Sequence, residues 1–264
     1  MRSSPIVGAS GTAAVAGGGG LVVLDGHALG VADVVRLADG TARPVPGSEG
    51  MRRAEESWNA ARQIAATGRV YGRSTGVGAN RSEDVPTEAA AEHGPRLLRS
   101  HAGAVGDELP ARQVRAMLAV RANQLLAGGA GLRPSVVTAL CEALESSAYP
   151  VVNEFGSVGT GDIAALAQMG LALAGEHPWR GPGTGGETGA RFEAGTGVPE
   201  AQPLDNNDAL ALISSNALTL GQAALALHEL RGLIAATQVV AALSLLAPTT
   251  APVPTRAAVP VSRV

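Results

Sequence analysis

Apolar residues recur at helical spacing over much of the chain, and glycine and proline mark where the apolar segments begin or end. A β-branched run predicts a short strand at residues 21–25. Loops are predicted at residues 40–50, 71–80, 150–161 and 181–203. The predicted helices cover residues 31–37, 52–66, 87–101, 110–126, 134–146, 162–174 and 206–246. Gly68 is predicted to stop the second of these, and Asn206, Asn207 or Asp208 to cap the last. The pattern therefore predicts a mainly α fold in which glycine-rich segments separate the helices.

The composition favours helices that pack closely. Apolar residues make up 45% of the chain and aromatic residues only 2%, so the core must consist of Ala, Leu and Val. Ala and Leu are strong helix formers. Charged residues, at 16%, fall below the usual share of about a quarter. This low charge is equally compatible with a surface covered by other subunits and with a compact monomer from a high-GC genome.

Several classes of protein are not indicated. A net charge of −3 without a basic stripe gives no footprint for nucleic-acid binding. Cys141 is the only cysteine, which suits a reducing cytosol, and its apolar helical setting favours a small core residue over a nucleophile. No metal site is predicted. The uncharged segment 209–227 contains five polar residues, which favours a buried helix of a bundle over a membrane span.

A glycine-rich segment, the tyrosine loop (residues 71–78), begins with Tyr71. Gly72, Gly76 and Gly78 allow the backbone to bend tightly and to approach a ligand closely. A tyrosine in such a loop can act as a base if nearby positive dipoles hold its phenol as phenolate. For a glycine-rich loop considered alone, a plain connector is the alternative.

A second glycine-rich segment, the triad loop (residues 155–162), precedes a predicted helix. It lacks the Gly-Lys-Ser/Thr ending of a phosphate-binding loop and the strand–helix context of a dinucleotide fold. The triad Gly159-Thr160-Gly161 allows a different chemistry. The Gly161 nitrogen can attack the Gly159 carbonyl, and loss of water from Thr160 then leaves an electron-poor ring. Such a ring supplies an electrophile that protein side chains do not offer.

These segments resemble the histidine, phenylalanine and tyrosine ammonia-lyases. The tyrosine loop is similar to the family's Tyr-Gly-x-Asn-Thr-Gly-Phe-Gly, and the triad loop is similar to its Gly-Ser-Val-Gly-Ala-Ser-Gly-Asp. Further similar segments keep the family's order and spacing, at residues 24–26, 97–102, 115–134 and 209–220. The match extends over about residues 21–246, and its strength lies in the series rather than in any one segment.

The resemblance implies the elimination of ammonia from an aromatic amino acid (histidine, phenylalanine or tyrosine) to give an arylacrylate. It implies a methylidene-imidazolone ring made from the chain itself, here from residues 159–161, and no metal. The loop tyrosine is the base in the family, which here indicates Tyr71. Thr75, Gly76 and Gly78 are expected to shape the pocket around it.

The expected substrate-binding positions are less closely matched. His101 falls where the family selects the substrate ring, and a histidine bonded within its own helix is the alternative. The family's later helix carries an asparagine near the ring, where this chain has Ser-Ser-Asn at residues 214–216. Ser214 occupies that position, whereas Asn216 lies two residues further on and points elsewhere on a helix. Both residues are therefore candidates.

The triad also departs from the family pattern, because the segment is one residue shorter. Thr160 takes the serine position when the alignment runs backwards from Asp162, and this register is preferred. When the alignment runs forwards from Gly156 instead, the chain no longer matches the family's triad. Threonine has a hydroxyl that can be eliminated, which would give a methyl-substituted ring. Gly159 in place of alanine is compatible with cyclisation.

The predicted organisation has four parts: a disordered tail (1–20), an N-terminal lyase domain (21–206), the start of a central helical bundle (207–246) and an irregular proline-rich tail (247–264). The resemblance implies a site shared between subunits of a homotetramer. It also implies later helices that supply a second tyrosine, an arginine for the substrate carboxylate, and a glutamate or glutamine. These have no counterpart in the chain. We therefore expect a truncated cytoplasmic ammonia-lyase that forms a homo-oligomer. The alternative is a non-catalytic helical fragment, or an assembly partner of a full-length paralogue.

Overall fold

The structure, a computed structural model, describes residues 20–181 and 197–246. The chain divides into two compact units, Met1–Leu225 and Ala226–Val264. Almost all of the predicted N-terminal tail, the whole C-terminal tail and most of the predicted loop at residues 181–203 lie outside the described residues. The predictions for those segments remain predictions.

Helices dominate the described residues, as the sequence predicted. The helices are α1 (Val31–Ala38), α2 (Ser48–Thr67), α3 (Ala90–His101), α4 (Ala111–Leu126), α5 (Ser135–Ser146), α6 (Ile163–Leu173), α7 (Asn206–Ile213) and α8 (Ala217–Leu246). The strands are β1 (Gly20–Leu24), β2 (Ala42–Pro46), β3 (Val105–Glu108), β4 (Tyr149–Pro150), β5 (Asn153–Phe155) and β6 (Trp179–Arg180). β1 pairs with β2 in parallel, whereas β3 pairs with β5 and β4 with β6 in antiparallel.

Helix α4 lies at the centre of the first unit, where residues 114–123 are all buried. The core around it is dominated by Ala, Leu and Val, as the composition predicted. The first turns of α8 approach α4 closely. A Cβ added to Gly221 would lie 2.9 Å from the backbone nitrogen of Met117. Glycine at this crossing therefore lets the two helix backbones come nearer than any larger residue would.

A strand occupies part of the loop that was predicted at residues 40–50. In β2 the side chains of Ala42 and Pro44 are buried and those of Arg43 and Val45 are exposed, the alternation expected of a strand with one buried face. Proline indicated a loop because it has no N–H to donate. It is tolerated here because β1 is the strand's single partner, and edge strands accept proline.

The long helix predicted up to residue 246 is interrupted at residues 214–216, between α7 and α8. The Ser214 hydroxyl donates to the Leu210 carbonyl at 2.7 Å, a local bond of the kind that competes with helix continuation. Asp205 caps α7, and its carboxylate accepts from the Asn207 N–H at 2.8 Å. The cap therefore lies one residue before the predicted candidates at residues 206–208.

The described part of the second unit is residues 226–246 of α8, and all of them are exposed. Leu230, Leu233 and Leu243 are among its exposed apolar side chains. By length and composition, Asn206–Leu246 is the one stretch of the described chain that could cross a membrane. Core helices of soluble proteins pass the same test, and several residues in its first half are buried within the first unit. The stretch is therefore weak evidence for a membrane span.

Cys141 lies in α5 and is 5% exposed. Burial in apolar surroundings raises the pKa of its thiol to about 12, so the thiol stays protonated at neutral pH. Only the thiolate form is nucleophilic, so the protonated thiol is unreactive. Cys141 is therefore a core residue, as the sequence predicted.

Candidate active site

The tyrosine loop folds back on its own aromatic residue. Tyr71 is 52% exposed, and its phenol oxygen accepts a hydrogen bond from the Gly78 N–H at 2.9 Å. Gly72 and Gly78 both adopt positive φ angles, +70° and +57°, which residues with a Cβ rarely adopt. The glycines of the sequence motif therefore give the loop its shape, and the loop backbone fixes one partner of the tyrosine hydroxyl.

Thr75 and Gly76 stabilise the inner side of this loop through contacts with its backbone. Thr75 is 3% exposed; its hydroxyl accepts from the Gly72 N–H at 3.3 Å and donates to the Gly76 carbonyl at 3.0 Å. A Cβ on Gly76 would lie 2.5 Å from the carbonyl oxygen of Asn80. The Thr75 hydroxyl is thus bonded to backbone within the loop, and both residues act on the pocket through the shape of that loop.

Helix α7 supports the tyrosine loop. A Cβ on Gly72 would lie 2.3 Å from Cδ2 of Leu210, in the second half of the helix. At the first residue of the helix, the Asn206 side-chain amide donates to the Arg73 carbonyl at 2.9 Å. The loop is therefore fixed along one side of α7.

The triad loop is a tight turn. Gly159 and Gly161 have φ angles of +96° and +106°. Ser157 bridges the turn, because its hydroxyl donates to the Gly161 carbonyl at 2.9 Å and lies 3.4 Å from the Gly159 nitrogen. Thr160, between the two glycines, is exposed. These residues fit the ring-forming chemistry: a glycine nitrogen follows a hydroxyl residue, and the turn uses conformations that glycine adopts readily.

Asp162 fastens the end of the triad loop to the break between α7 and α8. Its side chain is 4% exposed, and its N–H donates to the Ser215 carbonyl at 2.8 Å. Its two carboxylate oxygens accept from the Thr219 hydroxyl at 2.7 Å and the Thr219 N–H at 2.8 Å, in the first turn of α8. A Cβ on Gly161 would lie 2.9 Å from the same Ser215 carbonyl, so this contact requires glycine.

The two candidates in the helix break have different surroundings. Ser214 ends α7 through its bond to the Leu210 carbonyl, as described above. Asn216 is exposed, and its Oδ1 accepts from Nε2 of Gln124 at 3.4 Å. The residue between them, Ser215, is the one whose carbonyl contacts the triad loop. Sequence reasoning missed Ser215 because a backbone carbonyl leaves no signal in residue type.

A buried cation lies behind the break. Arg121 of α4 is 4% exposed; its Nε donates to the Leu212 carbonyl at 3.2 Å and its Nη2 donates to the Ala211 carbonyl. These are among the last carbonyls of α7, where the helix dipole is negative, which offsets part of the cost of burying the charge. Burial lowers the pKa of Arg121 to about 10, so the guanidinium remains charged at neutral pH.

His101 is the last residue of α3. Its Nδ1 lies 2.8 Å from the Leu97 carbonyl and 3.0 Å from the Ser100 hydroxyl. A carbonyl can only accept, so this contact assigns a proton to Nδ1 and leaves Nε2 facing away from it. Three residues further along the chain, Ala104 packs on the triad loop: a Cβ on Gly156 would lie 2.7 Å from that of Ala104. The end of α3 is therefore connected directly to the loop.

The contacts bring the two glycine-rich loops to neighbouring points, the second half of α7 and the break that follows it. The tyrosine loop packs on Leu210 and the triad loop on Ser215, five residues apart along the chain. Across residues 20–181 and 197–246, no group of three or more His, Cys, Asp and Glu side chains is placed to hold a metal ion. The arrangement offers a tyrosine hydroxyl, an exposed triad and an imidazole on connected elements.

Comparison with known proteins assigns this chain to a family. The family model described as aromatic amino acid lyase matches residues 29–263. The chain belongs to this family. The ammonia-lyase resemblance of the sequence motifs is thereby confirmed at the level of the family, together with the mainly helical fold.

Individual proteins are similar over most of this chain. The histidine ammonia-lyase of Geobacillus thermodenitrificans strain NG80-2 is 34% identical over 235 residues, which cover 85% of this chain and 45% of that protein. The ergothionase of Treponema denticola, an ergothioneine-degrading enzyme, superposes with a TM-score of 0.72 at 27% identity, covering 81% of this chain and 43% of that one. The histidine ammonia-lyase of Trypanosoma cruzi gives a TM-score of 0.67 at 28% identity, with 78% and 40% covered. The chain thus spans less than half the length of these three proteins.

Proposed function

We propose that this chain carries the electrophile-forming and base-bearing parts of an ammonia-lyase site for an aromatic amino acid: histidine, phenylalanine or tyrosine. The observation that carries the proposal is that the tyrosine loop contacts α7 and the triad loop contacts the break directly after it, with anchors only five residues apart. Two loops anchored on one short segment of the chain can act on the same small substrate, because that segment limits how far apart they can lie.

In this proposal, a methylidene-imidazolone-type ring formed from Gly159, Thr160 and Gly161 supplies the electrophile that activates the substrate for loss of ammonia. Tyr71 acts as the base. Its hydroxyl is exposed, and the Gly78 N–H already holds one lone pair of the oxygen, which orients the phenol.

Substrate recognition is assigned to residues that surround the two loops. His101 offers Nε2 of its imidazole to the substrate ring. Thr75 and Gly76 keep the tyrosine loop in place, and Ser214 and Asn216 flank the carbonyl that supports the triad loop. The substrate is a small molecule, an aromatic amino acid, and neither nucleic acid nor a membrane takes part.

The assembly that we propose is a homo-oligomer, a homotetramer by analogy with the family, located in the cytoplasm. Support comes from the described part of the second unit, where Leu230, Leu233, Leu243 and their apolar neighbours are exposed in the isolated chain. Burial of such side chains against a second copy contributes about 25 cal/mol for each Å² removed from water. The family resemblance implies that the groups that bind the substrate carboxylate lie in later helices without a counterpart in this chain, and the histidine ammonia-lyases it matches are more than twice as long as the matched region.

The alternative is a non-catalytic helical chain, or an assembly partner of a full-length paralogue. The mass of the triad peptide distinguishes it from the proposal. Ring formation removes two water molecules from residues 159–161, so the peptide from an active lyase chain is lighter than its sequence by that amount. An unmodified peptide from protein that is folded and helical would favour the non-catalytic alternative.

The role of Tyr71 is tested in an assembly that turns over substrate. Tyr71→Phe removes the hydroxyl and keeps the ring, so turnover should be abolished while the oligomer size stays the same. Activity within a few-fold of the parent would remove Tyr71 from the mechanism.

A further inference from the structure

The peptide group between Gly161 and Asp162 is held at both ends. Its carbonyl oxygen, on Gly161, accepts from the Ser157 hydroxyl at 2.9 Å. Its N–H, on Asp162, donates to the Ser215 carbonyl at 2.8 Å. A peptide plane bonded through both its acceptor and its donor cannot rotate without losing a hydrogen bond. The backbone on the C-terminal side of the triad is therefore fixed in orientation.

Ser215 is in turn fixed by Gln124 of α4. The Ser215 hydroxyl donates to Oε1 of Gln124 at 2.6 Å and accepts from the Ala217 N–H at 3.0 Å, at the start of α8. Gln124 also bonds the neighbouring Asn216 through Nε2 at 3.4 Å. One turn earlier on the same face of α4, Arg121 bonds the last carbonyls of α7. The support behind the triad loop therefore reaches into the central helix of the first unit.

We propose that Ser157, Ser215 and Gln124 are positioning residues that prepare the triad for ring closure. This inference rests on the proposed function, because it requires that the ring forms. None of the three residues contributes an atom to the ring. Ser157 and Ser215 act through the peptide group that they clamp, and Gln124 acts through Ser215.

The two hydrogen bonds that hold the Gly161–Asp162 peptide group, here called the clamp, affect the rate of ring closure. The Gly161 nitrogen forms a bond to the carbonyl carbon of Gly159. The Gly159 oxygen leaves as water with one hydrogen from each of the Thr160 and Gly161 nitrogens. A second water takes the Thr160 hydroxyl and its α-hydrogen, so no oxidant or other reactant is needed. The reaction is intramolecular, and its rate depends on how much of the time the two atoms are held close together.

The clamp restricts the motion of the attacking Gly161 nitrogen from its C-terminal side. Gly161 is at a φ of +106°, and glycine has the widest choice of backbone angles of any residue. Without the two hydrogen bonds, the exposed turn would sample many conformations in which the nitrogen is far from its target. Loss of either the Ser157 or the Gln124 contact should therefore slow ring closure and leave the fold unchanged.

The test measures the rate of ring formation in newly made full chain. Protein is synthesised in a cell-free system, samples are quenched over time, and the fraction of triad peptide lighter by two waters is measured by mass spectrometry. Ser157→Ala and Gln124→Ala are expected to slow its appearance at least tenfold. Ser157→Thr, which restores a hydroxyl, should recover most of the rate. Thermal unfolding checks that each variant folds as the parent does.

Ser146→Ala is the matched control, because the Ser146 hydroxyl also donates to a backbone carbonyl at 2.9 Å but lies at the end of α5. It should leave the rate of ring formation unchanged. If the parent forms the ring and the Ser157 and Gln124 variants form it equally fast, the positioning role is overturned and the proposed function stands. If the folded parent never loses the two waters, both the proposed function and the positioning role are overturned.

Discussion

The crossing of α8 over α4 predicts an unusual response to a substitution that normally stabilises helices. Gly221 lies within α8, where alanine would ordinarily add about 1 kcal/mol through its higher helix propensity. Here the added Cβ would lie 2.9 Å from the Met117 nitrogen and from the Ala116 carbonyl carbon, whereas ordinary contact begins at 3.4 Å. Both contacts are to backbone, which cannot rotate away, so α8 itself must move by about half an ångström.

The magnitude follows from two opposing terms. Overpacking a dense core costs about 1–3 kcal/mol. A shift of α8 also lengthens the two bonds from Thr219 to the Asp162 carboxylate, and hydrogen bonds to charged groups contribute about 1.5–3 kcal/mol each. These costs exceed the propensity gain of about 1 kcal/mol. Gly221→Ala should therefore lower the free energy of unfolding by about 1–3 kcal/mol.

Urea denaturation followed by circular dichroism measures this change. Gly232→Ala is the control, because Gly232 lies in the same helix with nothing within 4 Å of an added Cβ. That variant should be at least as stable as the parent, with a gain of up to about 1 kcal/mol. If Gly221→Ala proved as stable as the parent or more so, the close approach of the two helix backbones would be refuted.

Three further outcomes are expected. Cys141, with its thiol pKa raised to about 12 by burial, should resist aromatic disulfide reagents in the native protein and react in urea; rapid native reaction would contradict its burial. Burial lowers the pKa of His177 in the folded chain below 6.5, its value in the unfolded chain. Between the folded and the unfolded pKa the unfolded chain binds more protons, so the free energy of unfolding falls as pH drops through this range. His177→Asn should flatten that dependence in pH-resolved melts, and an unaltered slope would count against it. Gly72→Ala places a Cβ 2.3 Å from Leu210 and should lower the free energy of unfolding. The loss should exceed that of Gly129→Ala, because Gly129 has a similar φ but lies in open space. Equal losses would mean that the tyrosine loop does not pack closely on α7.

Local sequence signals predicted most of the helices. Gly68 ends α2, Pro110 precedes α4 and Asp162 precedes α6, each where it was expected. These signals work because they act on neighbouring backbone: glycine and proline change which φ angles and hydrogen bonds are available within one turn. The Ala, Leu and Val core also followed from composition, since few aromatic residues were available to fill it.

Features that depend on distant partners were not predictable. β2 is a strand because β1, about twenty residues earlier, pairs with it, and the prolines in β2 gave the opposite local signal. The triad loop could be found from its glycines, but its support could not. Ser215 is 53 residues from Asp162 and contacts it through a carbonyl, and Gln124 is 91 residues from Ser215. Hydrogen bonds of this kind exist only after the helices have packed.

The length of α7 has a consequence for which insertions the chain can accept. The helix advances by about 1.5 Å and turns by about 100° with each residue. One extra residue in the last turn of α7, between Leu210 and Ile213, would therefore turn the Leu210 side chain by about 100° relative to the break that carries Ser215. Related chains should vary freely in the number of residues between α6 and α7. They should keep the number of residues in the second half of α7 constant, because that segment sets the spacing between the anchors of the two loops.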